Sequence, residues 1–230
     1  MLFQETVEAG TLDLIKTLMA DSELEGFNLV GGTALSLQVG HRISIDIDLF
    51  TDRDFDSERL ANYLEKLYKL SETKIIKNGI FGFINGVKLD LIAHKYPLIY
   101  PIQNLKGIRI ASLPEIGAMK LNVIVENGSR YKDFVDMYFL LEHYPLKLFT
   151  DAYEKKYAPN ASATIARTGL IYFADIDYNI SIRLLRDQLS KEMIQARLKD
   201  ALVNYSKVYT KNPKSEKKIN AAKRRVRRHL

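Results

Sequence analysis

The sequence predicts an α+β protein, with a core of strands and helices to about residue 110 and an all-helical lobe from residue 111 to 230. Three observations predict it. Segments alternating apolar and polar residues cluster before residue 110. Asn85-Gly86 joins two of these segments as a tight hairpin turn. After Ile108-Arg109-Ile110 the apolar spacing becomes helical.

The elements follow in order. Residues 6–19 read as an amphipathic helix, with Val7, Leu12, Leu14, Ile15 and Leu18 on a broad apolar face. Phe27 to Val30 is a short apolar strand, Gly31-Gly32 a turn, and Thr33 the cap of a helix that Gly40 stops. Residues 43–50, Ile-Ser-Ile-Asp-Ile-Asp-Leu-Phe, alternate as a strand, with Ile45, Ile47 and Leu49 directed to the core. A polar helix over 57–70 follows, capped by Ser57. Strands are then expected near 74–77, over 80–84 and over 87–93. Ser112-Leu113-Pro114-Glu115 reads as a capping box launching a helix to about Val125. Asn127-Gly128 ends it, a further helix spans 131–143, and the remainder reads as helices with short breaks, among them 182–205.

Composition narrows the function classes. The 230 residues are 47% hydrophobic and 27% charged, ordinary for a globular protein able to bury a sizeable core. No apolar run approaches the roughly 18 residues of a membrane span, and the first residues lack the pattern of a secretory signal. Without cysteine there is neither a disulfide framework nor a thiolate zinc site. The expected location is the cytoplasm. The net charge of +6 is unevenly spread. From Tyr205 onward stand ten Lys/Arg and one acid, whereas the preceding residues carry 24 basic against 27 acidic groups. This basic end suggests an anionic partner, and equally suits a solvated helix end.

The chemistry concentrates on three aspartates. Asp46 and Asp48 stand two apart on one expected strand, so both carboxylates share a face. Their mutual repulsion invites a divalent cation, and an oxygen donor set favours Mg2+ or Mn2+. Upstream, Gly31-Gly32 lies between a strand and a helix N-terminus, where free N–H groups can hold phosphate. A triphosphate can rest there while its metal ions sit on the aspartates. Asp90, on the alternating segment Val87-Lys88-Leu89-Asp90-Leu91, can supply a third carboxylate for metal and acceptor. Lys88 shares its face and could offset charge, or be a solvated strand lysine.

These residues resemble a known set. Val30-Gly31-Gly32-Thr33-Ala34-Leu35 and Gly40-His41-Arg42-Ile43-Ser44-Ile45-Asp46-Ile47-Asp48-Leu49-Phe50 resemble the signature of the AbiEii/AbiGii nucleotidyltransferase toxin family, within the DNA-polymerase-β-like superfamily. Lys88 to Ile92, Ala111 to Leu121, Arg130 to Asp136 and, more weakly, Gly169 to Phe173 extend the likeness. It implies a mixed sheet flanked by helices, ahead of a helical lobe. It also implies transfer of a nucleoside monophosphate from an NTP to an acceptor. By this resemblance Gly31, Gly32 and Thr33 bind nucleotide, Asp46, Asp48 and Asp90 bind metal, and Lys120 reaches the triphosphate. Asp133, with Asp136 beside it on one helix face, completes the site; Lys132 and Asp136, at i and i+4, could instead pair with each other. His41 and Arg42 read as positioning residues. Relatives act as toxins beside an antitoxin and modify tRNA ends, which makes tRNA and an antitoxin the implied partners. Lys217, Lys218, Lys223, Arg224, Arg225, Arg227 and Arg228, outside these motifs, suit a phosphate backbone. Other readings of the residues are transfer to a protein or small molecule, a silent nucleic-acid or partner-binding module, and a glycosyltransferase using Asp-x-Asp.

Overall fold

The computed structural model describes residues 2–210; the seven basic residues from Lys217 to Arg228 named above lie outside them. Seven strands form one mixed sheet: β1 (Asn28–Val30), β2 (Ile47–Thr51), β3 (Ser71–Ile76), β4 (Gly79–Ile84), β5 (Val87–Ala93), β6 (Gln103–Leu105) and β7 (Ile108–Ile110). Their order across the sheet is β3-β4-β5-β2-β1-β7-β6. The central strand β2 runs antiparallel to β1 and parallel to β5.

Alternation along these strands sets the two faces. Leu29, Ile47, Leu49, Leu89 and Leu91 are fully buried, and burial of each such side chain stabilises the fold by about 1.5–3 kcal/mol. The intervening positions line up across the sheet, Val30 opposite Asp48 and Asp48 opposite Asp90. A one-residue slip in either pairing would exchange the faces, so the buried leucines fix where the carboxylates stand.

Helices α1 (Ala9–Ala20), α2 (Gly31–Val39) and α3 (Ser57–Tyr68) belong to the first 110 residues, and α4 (Leu113–Glu126), α5 (Tyr131–Leu140), α6 (Leu146–Tyr157), α7 (Ala163–Leu170) and α8 (Lys191–Val203) follow. The helix α2 touches β1 and β2 on one side and α4 and α5 on the other. In turn α4 packs against α5, α6 and α7. Its Gly117 has no room for a Cβ, because the Phe149 ring of α6 occupies that place.

Several elements depart from the sequence expectation, each for a local reason. A 3-10 turn over Gln4–Thr6 precedes α1, which starts only at Ala9. Before β2 the chain is irregular: Ile43 and Ser44 give their N–H groups to Arg183 O and Thr6 O, and Ile45 is 57% exposed rather than in the core. The α3 cap is Asp56, whose carboxylate accepts from Arg59 N, while Ser57 accepts from Gly79 N. The expected capping box does not form. Ser112 makes no side-chain cap, and Glu115 turns instead to Ile99 N, Tyr100 N and the Lys156 ammonium. The short polar strand β6 carries too little alternation to be read. Finally, the named elements of the second lobe are all helices, but irregular backbone joins two of them. Residues 171–190 form an irregular strap whose backbone bridges Arg42 to Leu184 and Arg130 to Asp177, and the expected helix over 182–205 is confined to α8.

The α4–α6 contact yields a direct expectation. Gly117→Ala forces a methyl into the Phe149 ring and should lower the unfolding free energy by about 1–3 kcal/mol. Urea denaturation measures this, and an unchanged midpoint would contradict the packing described.

Candidate active site

The site is assembled where β1 enters α2. Val30, the residue at the N-cap, supplies no side-chain acceptor, so the N–H groups of the first turn of α2 lack a capping side chain. Gly31 adopts φ of 70°, and a Cβ there would overlap the Asp48 carboxylate. Both constraints require glycine. A Cβ on Gly32 would overlap the Arg42 guanidinium. Thr33 is not the cap that the sequence suggested. It lies buried within the first turn and donates its hydroxyl to Asp46 O, pinning the chain that carries the aspartate.

Asp46, just ahead of β2, has a side chain 35% exposed. Asp48 is on β2, and its carboxyl is pushed above the usual carboxylate range, first by burial and then by the charge of Asp90. Asp90 faces Asp48 across the parallel β2–β5 pair, with Oδ2 held by Lys88 Nζ at 2.5 Å. Its Oδ1 is buried without a hydrogen-bond partner.

Behind these carboxylates lies a buried polar cluster. Asp136 accepts from His41 Nε2 at 2.8 Å and from Arg42 Nε and Nη2 at 2.7 and 2.9 Å, a bidentate fork. Lys120 Nζ stands 2.6 Å from Asp136 Oδ2 and donates to Asp133 Oδ1 at 2.6 Å. Arg130 Nε reaches the other Asp133 oxygen at 3.1 Å. Burial pushes the Asp136 carboxyl upward, but Arg42, Lys120 and the hydrogen bonds of His41 and Arg42 outweigh it and hold the group well below the ordinary range. Burial also drives His41 down to about 4, so the imidazole is neutral and its Nε2–H donates a hydrogen bond to the Asp136 carboxylate. The core of the cluster is therefore two cations against two carboxylates.

The structure thus brings together Gly31, Gly32, Thr33, Asp46, Asp48 and Asp90 at one end of the sheet, and Lys120, Asp133 and Asp136 next to them. Lys120, expected at the triphosphate, has its ammonium enclosed by two aspartates at 6% exposure. Lys132 does not pair with Asp136; it lies at the rim, 4.0 Å from Asp46 Oδ2. Burial, then the charge of Arg130, lowers its proton affinity. Sequence reasoning gave no role to Ser44 or Arg183, which line a groove beside Asp46. Ser44 stands inside a recognised motif and was legible in principle. Arg183 carries no such signal, since the strap brings it to the site from far along the chain.

The donor set suits a divalent cation. Asp48 and Asp90 carry the marks of carboxylates short of positive charge, a raised carboxyl in one and an orphaned buried oxygen in the other. All candidate ligands are hard oxygens, the type that Mg2+ and Mn2+ prefer. In the conformation described, no three His, Cys, Asp or Glu side chains among the described residues converge as a metal cluster. Asp90 is turned toward Lys88, and of the two neighbouring aspartates its charge acts on Asp48 more strongly than that of Asp46.

Comparison with known proteins gives the family and the fold. Residues 13–214 match the family described as "Nucleotidyl transferase AbiEii toxin, Type IV TA system". An uncharacterized protein of Aquifex aeolicus is 35% identical over 155 residues, which cover 65% of this chain and 74% of that protein. The crystal structure of a candidate nucleotidyltransferase from H. pylori superposes with a TM-score of 0.53 at 18% identity, covering 86% of this chain and 95% of the other. That likeness is one of fold.

The buried cluster predicts a large cost for removing its central charge. Asp136→Asn leaves Arg42 and Lys120 with Asp133 as their one carboxylate and should destabilise the protein by about 3–5 kcal/mol. Asp46→Asn, at the partly exposed rim, should stay within about 0.5 kcal/mol of wild type. Urea unfolding of both variants tests the contrast; a loss below about 1 kcal/mol for Asp136→Asn would contradict it.

Proposed function

The chain belongs to the AbiEii nucleotidyltransferase toxin family, and from that premise we propose that it moves a nucleoside monophosphate from an NTP to a tRNA acceptor, as the toxin of a toxin–antitoxin pair in the cytosol. The observation carrying this reading is the packing of Asp48 against Gly31 at the uncapped start of α2. It supports the reading because N–H groups without a capping side chain, which can hold phosphate, begin directly beside the Asp48 carboxylate.

In this reading an acceptor hydroxyl attacks the α-phosphorus, the bond between that phosphorus and the oxygen bridging to the β-phosphate breaks, and pyrophosphate leaves with the bond's electrons. Asp46 and Asp48 would hold Mg2+ or Mn2+, which when bound supplies Lewis-acid stabilisation of the charge on the phosphoryl oxygens. The N–H groups of Gly31, Gly32 and Thr33 hold phosphate oxygens. Asp90, oriented by Lys88, takes the acceptor proton. Lys120 and Asp133 act as positioning residues. They tie α4 to α5 and, through Asp136 and Arg42, hold the Asp46 segment in place.

The tRNA reading rests on two supports: the family, and the excess of basic charge after Tyr205. The positions from Lys217 to Arg228 would contact the RNA backbone. The antitoxin partner follows from the family description.

The test uses α-labelled NTPs, total tRNA and magnesium. Wild-type protein should label RNA. The Asp46→Asn/Asp48→Asn double variant should lose at least about 100-fold, as several kcal/mol of transition-state stabilisation disappear. Thermal unfolding should show the variant folded. Wild-type labelling by the double variant would remove the carboxylate pair from the mechanism, and label on protein instead of RNA would overturn the acceptor.

A further inference from the structure

A groove of about 260 Å3 opens beside Asp46, lined by Arg42 to Asp46, Lys132 of α5 and residues 180–183 of the strap. The family assignment gives it no occupant. It borders the start of α2, because Arg42 Nη2 and Ser44 Oγ, both from its lining, fill the space where a Cβ on Gly32 would stand. Ser44 is only 8% exposed, and its hydroxyl makes no hydrogen bond in the structure. That hydroxyl is not among the fully enclosed unpaired atoms, so it is reached from outside and can donate to an acceptor in the groove.

We propose that this groove seats the β- and γ-phosphates of the NTP, and then the pyrophosphate product, on Lys132, Arg183 and Ser44. The inference rests on the nucleotidyl-transfer reading above, and it reassigns the triphosphate-binding cation from Lys120 to Lys132 and Arg183.

Charge, position and availability carry it. Asp46 is the one acidic residue lining the groove, against the cations Arg42, Lys132 and Arg183. Arg42 is committed to Asp136 by a two-bond fork, and Lys120 to Asp133 and Asp136. Lys132 is held loosely by comparison. Its 4.0 Å approach to Asp46 is beyond hydrogen-bond length, leaving its N–H donors for another acceptor. Arg183 is exposed, yet its backbone is fixed. Ile43 donates to Arg183 O at 2.9 Å, Leu185 donates to His41 O at 2.8 Å, and the residue after Leu185, Arg186, is buried against Glu142 at 2.7 Å. The strap therefore delivers its arginine to one place beside the carboxylates. Groups at that place stabilise the charge that appears on the departing pyrophosphate as the bond to the α-phosphorus breaks.

The experiment is calorimetric titration of full-length protein, with magnesium, by inorganic pyrophosphate and separately by a nucleoside monophosphate. Lys132→Ala and Arg183→Ala should each weaken pyrophosphate binding about 10-fold or more, the loss of a charge-assisted hydrogen bond. The monophosphate, which lacks the β- and γ-phosphates, should bind as it does to wild type. Lys132→Arg should recover most of the pyrophosphate affinity, whereas Lys155→Ala, an exposed charge on α6, should change neither. Unaltered pyrophosphate affinity in Lys132→Ala and Arg183→Ala would overturn the assignment, as would equal losses for both ligands. Binding is read without turnover, so these outcomes stand apart from the transfer assay. Active transfer with unaltered pyrophosphate binding would refute the groove alone. Failed transfer with pyrophosphate held by Lys132 and Arg183 would refute the transfer reading and leave a polyphosphate site.

Discussion

Asp136 is the charge around which the rest of the site is arranged. It is fully buried on α5, and groups from two other parts of the chain converge on it: His41 and Arg42 ahead of β2, and Lys120 from α4. Burying so many polar groups is costly, and such a cluster contributes less to net stability than apolar packing of equal volume would. What it supplies is a unique geometry. The segment carrying Asp46 is irregular backbone with few ladder bonds of its own, and the fork from Arg42 to Asp136 fixes it against the helical lobe.

The sheet supplies the other constraint. Asp48 and Asp90 belong to parallel neighbours whose register is set by fully buried leucines on the opposite face. Gly31 lets the Asp48 carboxylate come against the start of α2 at a distance that any side chain would prevent. The start of α2 and the carboxylates of Asp48 and Asp90 are thus brought together by two independent devices, strand register and a left-handed glycine. Neither depends on a ligand being bound.

Much of this was legible in the sequence because it is local. The Asn85-Gly86 hairpin, the alternation around Asp48 and Asp90, and the Gly40 stop all depend on near neighbours. The readings that failed were local rules overridden from a distance. Ser112 and Glu115 have the spacing of a capping box, yet Glu115 is drawn away by Lys156 and by the backbone at Ile99 and Tyr100. Thr33 is placed to cap but meets Asp46 O. Lys132 and Asp136 have the spacing of an i, i+4 pair, but Asp136 is already saturated. The strap was illegible for the same reason. Residues 171–190 owe their path to backbone bonds with residues far away in the chain, at Ser129, His41 and Ile43, and no pattern in the strap itself announces them.

In the proposed reaction the scissile bond is the one between the α-phosphorus and the oxygen bridging to the β-phosphate, with Asp46 and Asp48 on one side and Lys132 and Arg183 on the other. Two isotopic labels in one reaction test that most directly. NTP labelled at the α-phosphorus should leave its label covalently on the acceptor, and NTP labelled at the γ-phosphorus should release its label as pyrophosphate, in equal amounts. Label from the γ-position on the acceptor, or inorganic phosphate in place of pyrophosphate, would contradict nucleotidyl transfer.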